Sequence, residues 1–137
     1  MLSRMVLYLN EIEQYLKRSQ EKFEIGKITI EKGYYADSIS DFYYSMVFMA
    51  VALLSVKGVK TKTHGGLIGQ FGEEFVLTGE FSRDIVKYFS QAETLRNTVD
   101  YAAFNGVTKK MALNKMKQTE KFLQEAKRVL KEYYNYD

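Results

Sequence analysis

Apolar residues recur at helical steps of three and four along almost the whole chain, and the places where that rhythm breaks divide it into five segments. In the first, Leu2, Met5, Leu9, Ile12, Leu16, Phe23 and Ile30 form a heptad-like stripe with Glu11, Glu13, Lys17, Arg18, Glu21 and Lys22 between them, which predicts a long helix. Gly26 and the β-branched group Ile28, Thr29 and Ile30 are expected to weaken its end, and Gly33 to stop it. So short a link predicts a tight antiparallel hairpin with the next helix.

That next helix, GYYADSISDFYYSMVFMAVALL from Gly33 to Leu54, reads as the centre of the fold. Tyr35, Ile39, Phe42, Met46, Met49 and Leu53 share one face while Asp37, Ser38, Ser40 and Asp41 take the other. From Met46 to Leu54 every residue is apolar, so this half must be enclosed on all sides. Three coverings would do it. A spanning helix needs about 20 predominantly apolar residues, and Ser40, Asp41, Ser45 and Lys57 hold this run short of that. The middle of a helix bundle is the plain reading, and a homodimer seam along one face is the sharper one.

In VKGVKTKTHGGLIGQFGEEF, Gly58 ends the central helix and Lys57, Lys60 and Lys62 load the loop with positive charge. His64, Ile68, Phe71 and Phe75 share a helical face, although Gly65, Gly66, Gly69 and Gly72 each cost about 1 kcal/mol relative to alanine, so this helix is short and depends on its packing. The glycines fit neither the dinucleotide fingerprint nor the P-loop spacing. Ser82 and Asp84 open a fourth helix with the stripe Phe81, Ile85, Tyr88, Ala92, Leu95 and Val99. Arg96, Asn97, Asp100 and Tyr101 lie at its end, before a break at Asn105 and Gly106. Thr108 then caps a last helix with the stripe Ala112, Met116, Thr119, Leu123, Ala126, Leu130 and Tyr133. The expected fold is all-α: a single domain over residues 1–137, an up-and-down four-helix bundle with an additional short helix.

Composition narrows the chemistry. Among 137 residues there is no proline, tryptophan or cysteine, and only one histidine. The missing prolines favour long helices, and the missing cysteines exclude disulfides, thiolate metal sites and a cysteine nucleophile. A catalytic zinc usually takes three protein ligands and a ferritin-like di-iron site takes paired Glu-x-x-His motifs, so no metal or other cofactor is expected. The N-terminus acquires Glu11 and Glu13 before any long apolar core, unlike a signal peptide, and a cytoplasmic location is expected. Net charge is +3, which permits an anionic partner without implying one.

Two clusters could carry such a partner. Arg96 could grip a phosphate with two parallel hydrogen bonds while Asn97 bonds a base or backbone oxygen. Spaced four apart on a helix, Arg96 and Asp100 could equally form a local ion pair contributing a few tenths of a kcal/mol, roughly 0.2–0.5. Lys109, Lys110, Lys115, Lys117, Lys121, Lys127, Arg128 and Lys131 crowd the last helix against only Glu120, Glu125 and Glu132. A solvated face explains them by default. RNA binding would require them, Lys117 and Lys121 above all, to converge with Lys60 and Lys62 near Arg96.

Three stretches, in this order and spanning most of the chain, resemble the HEPN domain family of small all-α prokaryotic proteins. The central helix is similar to that family's tyrosine-rich second helix, with its core at Tyr43, Tyr44, Ser45, Met46 and Val47. Thr63, His64, Gly65 and Gly66, followed by Phe71, are similar to a histidine-glycine segment of one branch. Arg96-Asn97-Thr98-Val99-Asp100-Tyr101 resembles the family's most informative motif. The resemblance implies a dimeric helical bundle, often paired with a small nucleotidyltransferase, and several members are ribonuclease toxins. Their catalytic motif is an arginine, commonly followed by a polar residue, with a histidine after four to six intervening residues. Here Tyr101 stands four intervening residues on, and the sole histidine, His64, lies far upstream.

The resemblance therefore implies a nucleotide- or RNA-binding protein, dimeric, partnered by a nucleotidyltransferase in a toxin–antitoxin-type system, and without robust ribonuclease activity. An active metal-independent ribonuclease using Arg96 with Tyr101 or His64 is the alternative, and a purely structural interaction module is a third. Tyrosine is a poor substitute for the histidine, since with a reference pKa near 10 it stays protonated at neutral pH.

Overall fold

The computed structural model describes the backbone of residues 2–61, 66–101 and 106–133, and the side chains of the same residues apart from 2–7, 100 and 101. Four long helices and a short one follow the expected order. They are α1 (Leu2–Glu31), α2 (Tyr35–Val56), α3 (Leu67–Phe71, continued by a π-helical turn over Gly72–Val76), α4 (Arg83–Tyr101) and α5 (Lys109–Tyr133). No strand occurs among the described residues. The helices pack α1 on α2, α2 on α4 and α5, and α4 on α5, the four-helix bundle predicted from the stripes.

The stops fall where the glycines place them. Gly33 takes φ +82°, its N–H bonding the Ile30 carbonyl at 2.9 Å while that of Tyr34 bonds Thr29 at 2.8 Å. Gly58 repeats the arrangement at the end of α2, with φ +75° and bonds from Gly58 to Ser55 and from Val59 to Leu54, both 2.9 Å. This double closure satisfies the last carbonyls of each helix and needs a residue that tolerates positive φ. Thr108 caps α5 as expected, its hydroxyl accepting from the Met111 N–H at 3.2 Å.

The α1–α2 hairpin departs from expectation in an instructive way. Gly26 and the residues after it do not weaken α1, which runs on to Glu31. Gly26 is where the Phe42 ring meets the α1 backbone. One heptad earlier, the buried Ser19 hydroxyl donates to the Ser45 carbonyl at 2.7 Å, and the Ser45 hydroxyl donates back to the Ser19 carbonyl at 2.9 Å. Small residues at steps of seven thus bring the two helices close, and each buried hydroxyl is satisfied. Ser38, assigned by its pattern to the solvent face, is fully buried and folds its hydroxyl onto the Tyr35 carbonyl at 2.6 Å.

Within the apolar run Met46–Leu54, only Phe48 and Val51 keep partial exposure, and the rest are at most 3% exposed. The bundle itself covers most of the run. By length and composition α2 is apolar enough to cross a membrane, contrary to the expectation that its polar residues cut the run short. Since 61% of its most apolar window is buried inside the bundle, burial among neighbouring helices accounts for that apolarity.

Two stripes turn further than predicted. On α4 the fully buried ring is Phe89, with Tyr88 only half-buried. On α5, Phe122 and Val129 join the core, Tyr133 is 40% exposed, and Lys115 is 5% exposed rather than solvated with the other lysines. Phe122 anchors an aromatic cluster, 5.2 Å from Phe81, 5.4 Å from Phe89 and 5.9 Å from Phe71. Packing of Phe71 and Phe75 is what sustains the glycine-rich α3.

Candidate functional site

Arg96 lies near the C-terminal end of α4, on the flank facing α2. Its guanidinium carbon sits 5.2 Å from the centroid of the Tyr44 ring and 5.5 Å from that of Tyr43, within range for a cation over an aromatic face. The two tyrosine rings meet edge to face at 5.1 Å. Adjacent in sequence, Tyr43 and Tyr44 point in different directions from α2. Tyr43 is buried and reaches Phe89, 5.9 Å away, while Tyr44 stays half-buried at the surface.

Glu93, one turn before Arg96, accepts a 3.3 Å hydrogen bond from the Tyr43 hydroxyl. Burial, the Glu93 carboxylate and the bond to it push the Tyr43 pKa up to about 12 against the opposing pull of Arg96. Tyr43 is therefore a donor at neutral pH and no general base. The centre of this site is a fixed arginine held over two tyrosines with a carboxylate one turn away. Such a guanidinium presents its donors at the edge of its plane, the geometry that suits a phosphate oxygen pair.

The other predicted residues divide clearly. Asn97 is exposed next to Arg96. Asp100 and Tyr101 continue α4, with side chains outside the described set, and Lys62 and His64 lie outside the described residues altogether. The convergence of lysines required for a single RNA surface is not what the described residues display. Lys60, Lys117 and Lys121 are exposed and line three separate concavities. Lys60 faces a groove between α1 and α2 of about 550 Å³. Lys117 shares a hollow of about 460 Å³ with Lys109, Lys110, Leu113 and Asn114. Lys121 sits beside Ile85 and Arg128. Among the described residues no three acidic or histidine side chains gather as metal ligands would.

Tyr43 and Tyr44 stood in the sequence as part of a motif, but their place beneath Arg96 did not. Glu93 carried no signal, because its partner is fifty residues upstream.

The HEPN domain family model matches residues 12–130. The candidate toxin MJ0142 of Methanocaldococcus jannaschii is 28% identical over 123 residues, covering 90% of this chain and 84% of that protein. The UPF0332 protein PH1297 of Pyrococcus horikoshii is 34% identical over 101 residues, 74% of this chain and 71% of its own length. A second candidate toxin from the same methanogen, MJ0605, is 30% identical over 122 residues, 89% and 90% of the two chains. Matched over nearly the whole bundle, from the middle of α1 to the last turns of α5, the chain belongs to the HEPN domain family.

Proposed function

We propose that this protein binds the phosphates of RNA or a nucleotide through Arg96 and Asn97, as the HEPN component of a toxin–antitoxin-type system. It works as a homodimer, with a nucleotidyltransferase as its partner. The observation that carries this reading is the seating of Arg96 over Tyr44 and Tyr43, which orders the guanidinium before any ligand arrives. Names of toxins on two of the relatives support the toxin-type assignment, and the nucleotidyltransferase and the dimer follow from the family resemblance. Robust ribonuclease activity is not part of the proposal, because Tyr101 stands where the family's motif has histidine and Tyr43 is held protonated.

Arg96→Lys tests the reading. It keeps the charge but lacks the planar fork, so RNA affinity at low salt should fall roughly ten- to hundredfold, in line with the 1.5–3 kcal/mol of a hydrogen bond to a charged group. Unchanged affinity would refute the assignment of Arg96. Light scattering at micromolar concentration checks the dimer, where a monomeric mass would remove it.

A further inference from the structure

Arg18 lies on α1, three residues after Tyr15 and so on the same flank of that helix. Its guanidinium carbon is 4.3 Å from the centroid of the Phe48 ring. Phe48 in turn is one helical turn beyond Tyr44, with their rings 6.4 Å apart, and Tyr44 carries Arg96 at 5.2 Å. Two arginines from different helices thus lie over neighbouring rings of one half-exposed strip of α2.

Stacking over a ring occupies the flat face of a guanidinium and leaves its N–H edge available. Arg128 spends that edge on Glu125 at 2.6 Å and Glu132 at 3.5 Å. Arg18 does not: it is exposed, and among the described residues no carboxylate lies within ion-pair distance of it. Beyond Phe48 the strip opens into the groove of about 550 Å³ walled by Tyr15, Phe48 and Val51, with Lys60 on its lining. Glu11 shares that lining, so the groove is not uniformly positive and the anionic load falls on Arg18 and Lys60. Cations set beside half-exposed aromatic rings are what a single-stranded nucleic acid requires, phosphates on the cations and bases against the aromatic strip.

We propose that Arg18 is a second phosphate-gripping side chain, holding with Arg96 one single-stranded RNA laid along Tyr44 and Phe48 toward the α1–α2 groove. The proposal rests on the RNA-binding reading above and extends it to a helix outside the family's arginine motif. Arg18 was passed over in the sequence because it stands among alternating charges on α1 and its ring lies thirty residues away.

The test uses the full chain and a short labelled single-stranded RNA of mixed sequence, titrated by fluorescence anisotropy over a range of salt. Arg18→Ala should weaken binding about tenfold at low salt and flatten the plot of log affinity against log salt by about 0.7, the loss of one phosphate contact on a single strand. Phe48→Leu, which keeps Arg18 but removes its ring, should weaken binding in the same direction. The proposal is overturned if Arg18→Ala binds within twofold of the parent while Arg96→Ala does not, an outcome that leaves the Arg96 reading standing. It is also overturned if Arg18→Glu converts a dimer to a monomer with the salt slope unchanged, since a second copy then covers this face. A parent protein that binds no RNA at low salt removes both readings together.

Discussion

The Phe42 ring occupies the space that a β-carbon on Gly26 would need. Built on the α1 backbone, that carbon would fall 2.4 Å from Cε1 of the ring and 2.8 Å from both Cδ1 and Cζ. Real β-carbons do not approach other atoms so closely, and the ring is itself fully buried, 5.7 Å from Phe23. The glycine is therefore a packing requirement of the hairpin.

Gly26→Ala sets two effects against each other. Alanine favours the helix by about 1 kcal/mol, whereas forcing a methyl group into a filled core costs typically 1–3 kcal/mol. The overlap is severe and the ring has no open side, so packing should win, with a net loss of about 1–2 kcal/mol. Urea unfolding measures it. A midpoint that rises would mean that α1 and α2 are not packed this closely in solution.

Much of this architecture was legible in the sequence, and the parts that were not share a cause. Helix order, the stops at Gly33 and Gly58 and the Thr108 cap are local facts, decided by neighbouring residues, and they read directly. The burial of Gly26, Ser19, Ser38, Lys115 and Phe89 is decided by residues far away in the chain. Lys115 illustrates it: the other six lysines of α5 are exposed, but its place on the helix turns it inward. There its ammonium donates to Gln118 at 2.7 Å, and burial pushes its pKa down. In the same way the motif announced Arg96, while only the fold revealed that Tyr43 and Tyr44 lie beneath it and that Arg18 lies farther along the same strip.

A second tie holds the opposite end of the bundle. Lys57, just after α2, donates to Glu80 at 2.7 Å and lies 4.3 Å over the Phe75 ring. Thr78 donates to the same carboxylate at 2.6 Å, and Tyr133 of α5 donates to its other oxygen. Burial alone would raise the Glu80 pKa, but the bonds from Lys57, Thr78 and Tyr133 prevail and bring it from 4.5 down to about 2. A lowered carboxylate pKa contributes stability in full above pH 4.5 that is lost as pH falls through 2. Glu80→Gln should then cost about 1.5–3 kcal/mol at pH 7, the worth of hydrogen bonds to a charged group. Near pH 2 the two proteins should unfold much more nearly alike. An equal gap at both pH values, read from denaturant midpoints, would show that Glu80 acts through shape and not charge.

The last prediction concerns what separates this chain from a ribonuclease of its family. Cleavage through attack by a 2′-hydroxyl needs a group that takes a proton and a group that steadies the charge developing on the phosphate. Arg96 can provide the second. For the first, the Tyr43 hydroxyl is unsuited, since a pKa of about 12 keeps it protonated. Tyr101 stands four intervening residues beyond Arg96, the position at which the resemblance expects histidine. Tyr101→His installs a group with a reference pKa of about 6.5, suited to proton transfer near neutral pH. A positioned acid–base group is typically worth 10²–10⁴-fold in rate, so the variant should gain at least a hundredfold in RNA cleavage without added metal. Because binding still runs through Arg96, that gain should vanish in the double variant Tyr101→His with Arg96→Ala. Strong metal-independent cleavage by the parent, undiminished by Arg96→Ala, would defeat both the weak-catalyst reading and the site.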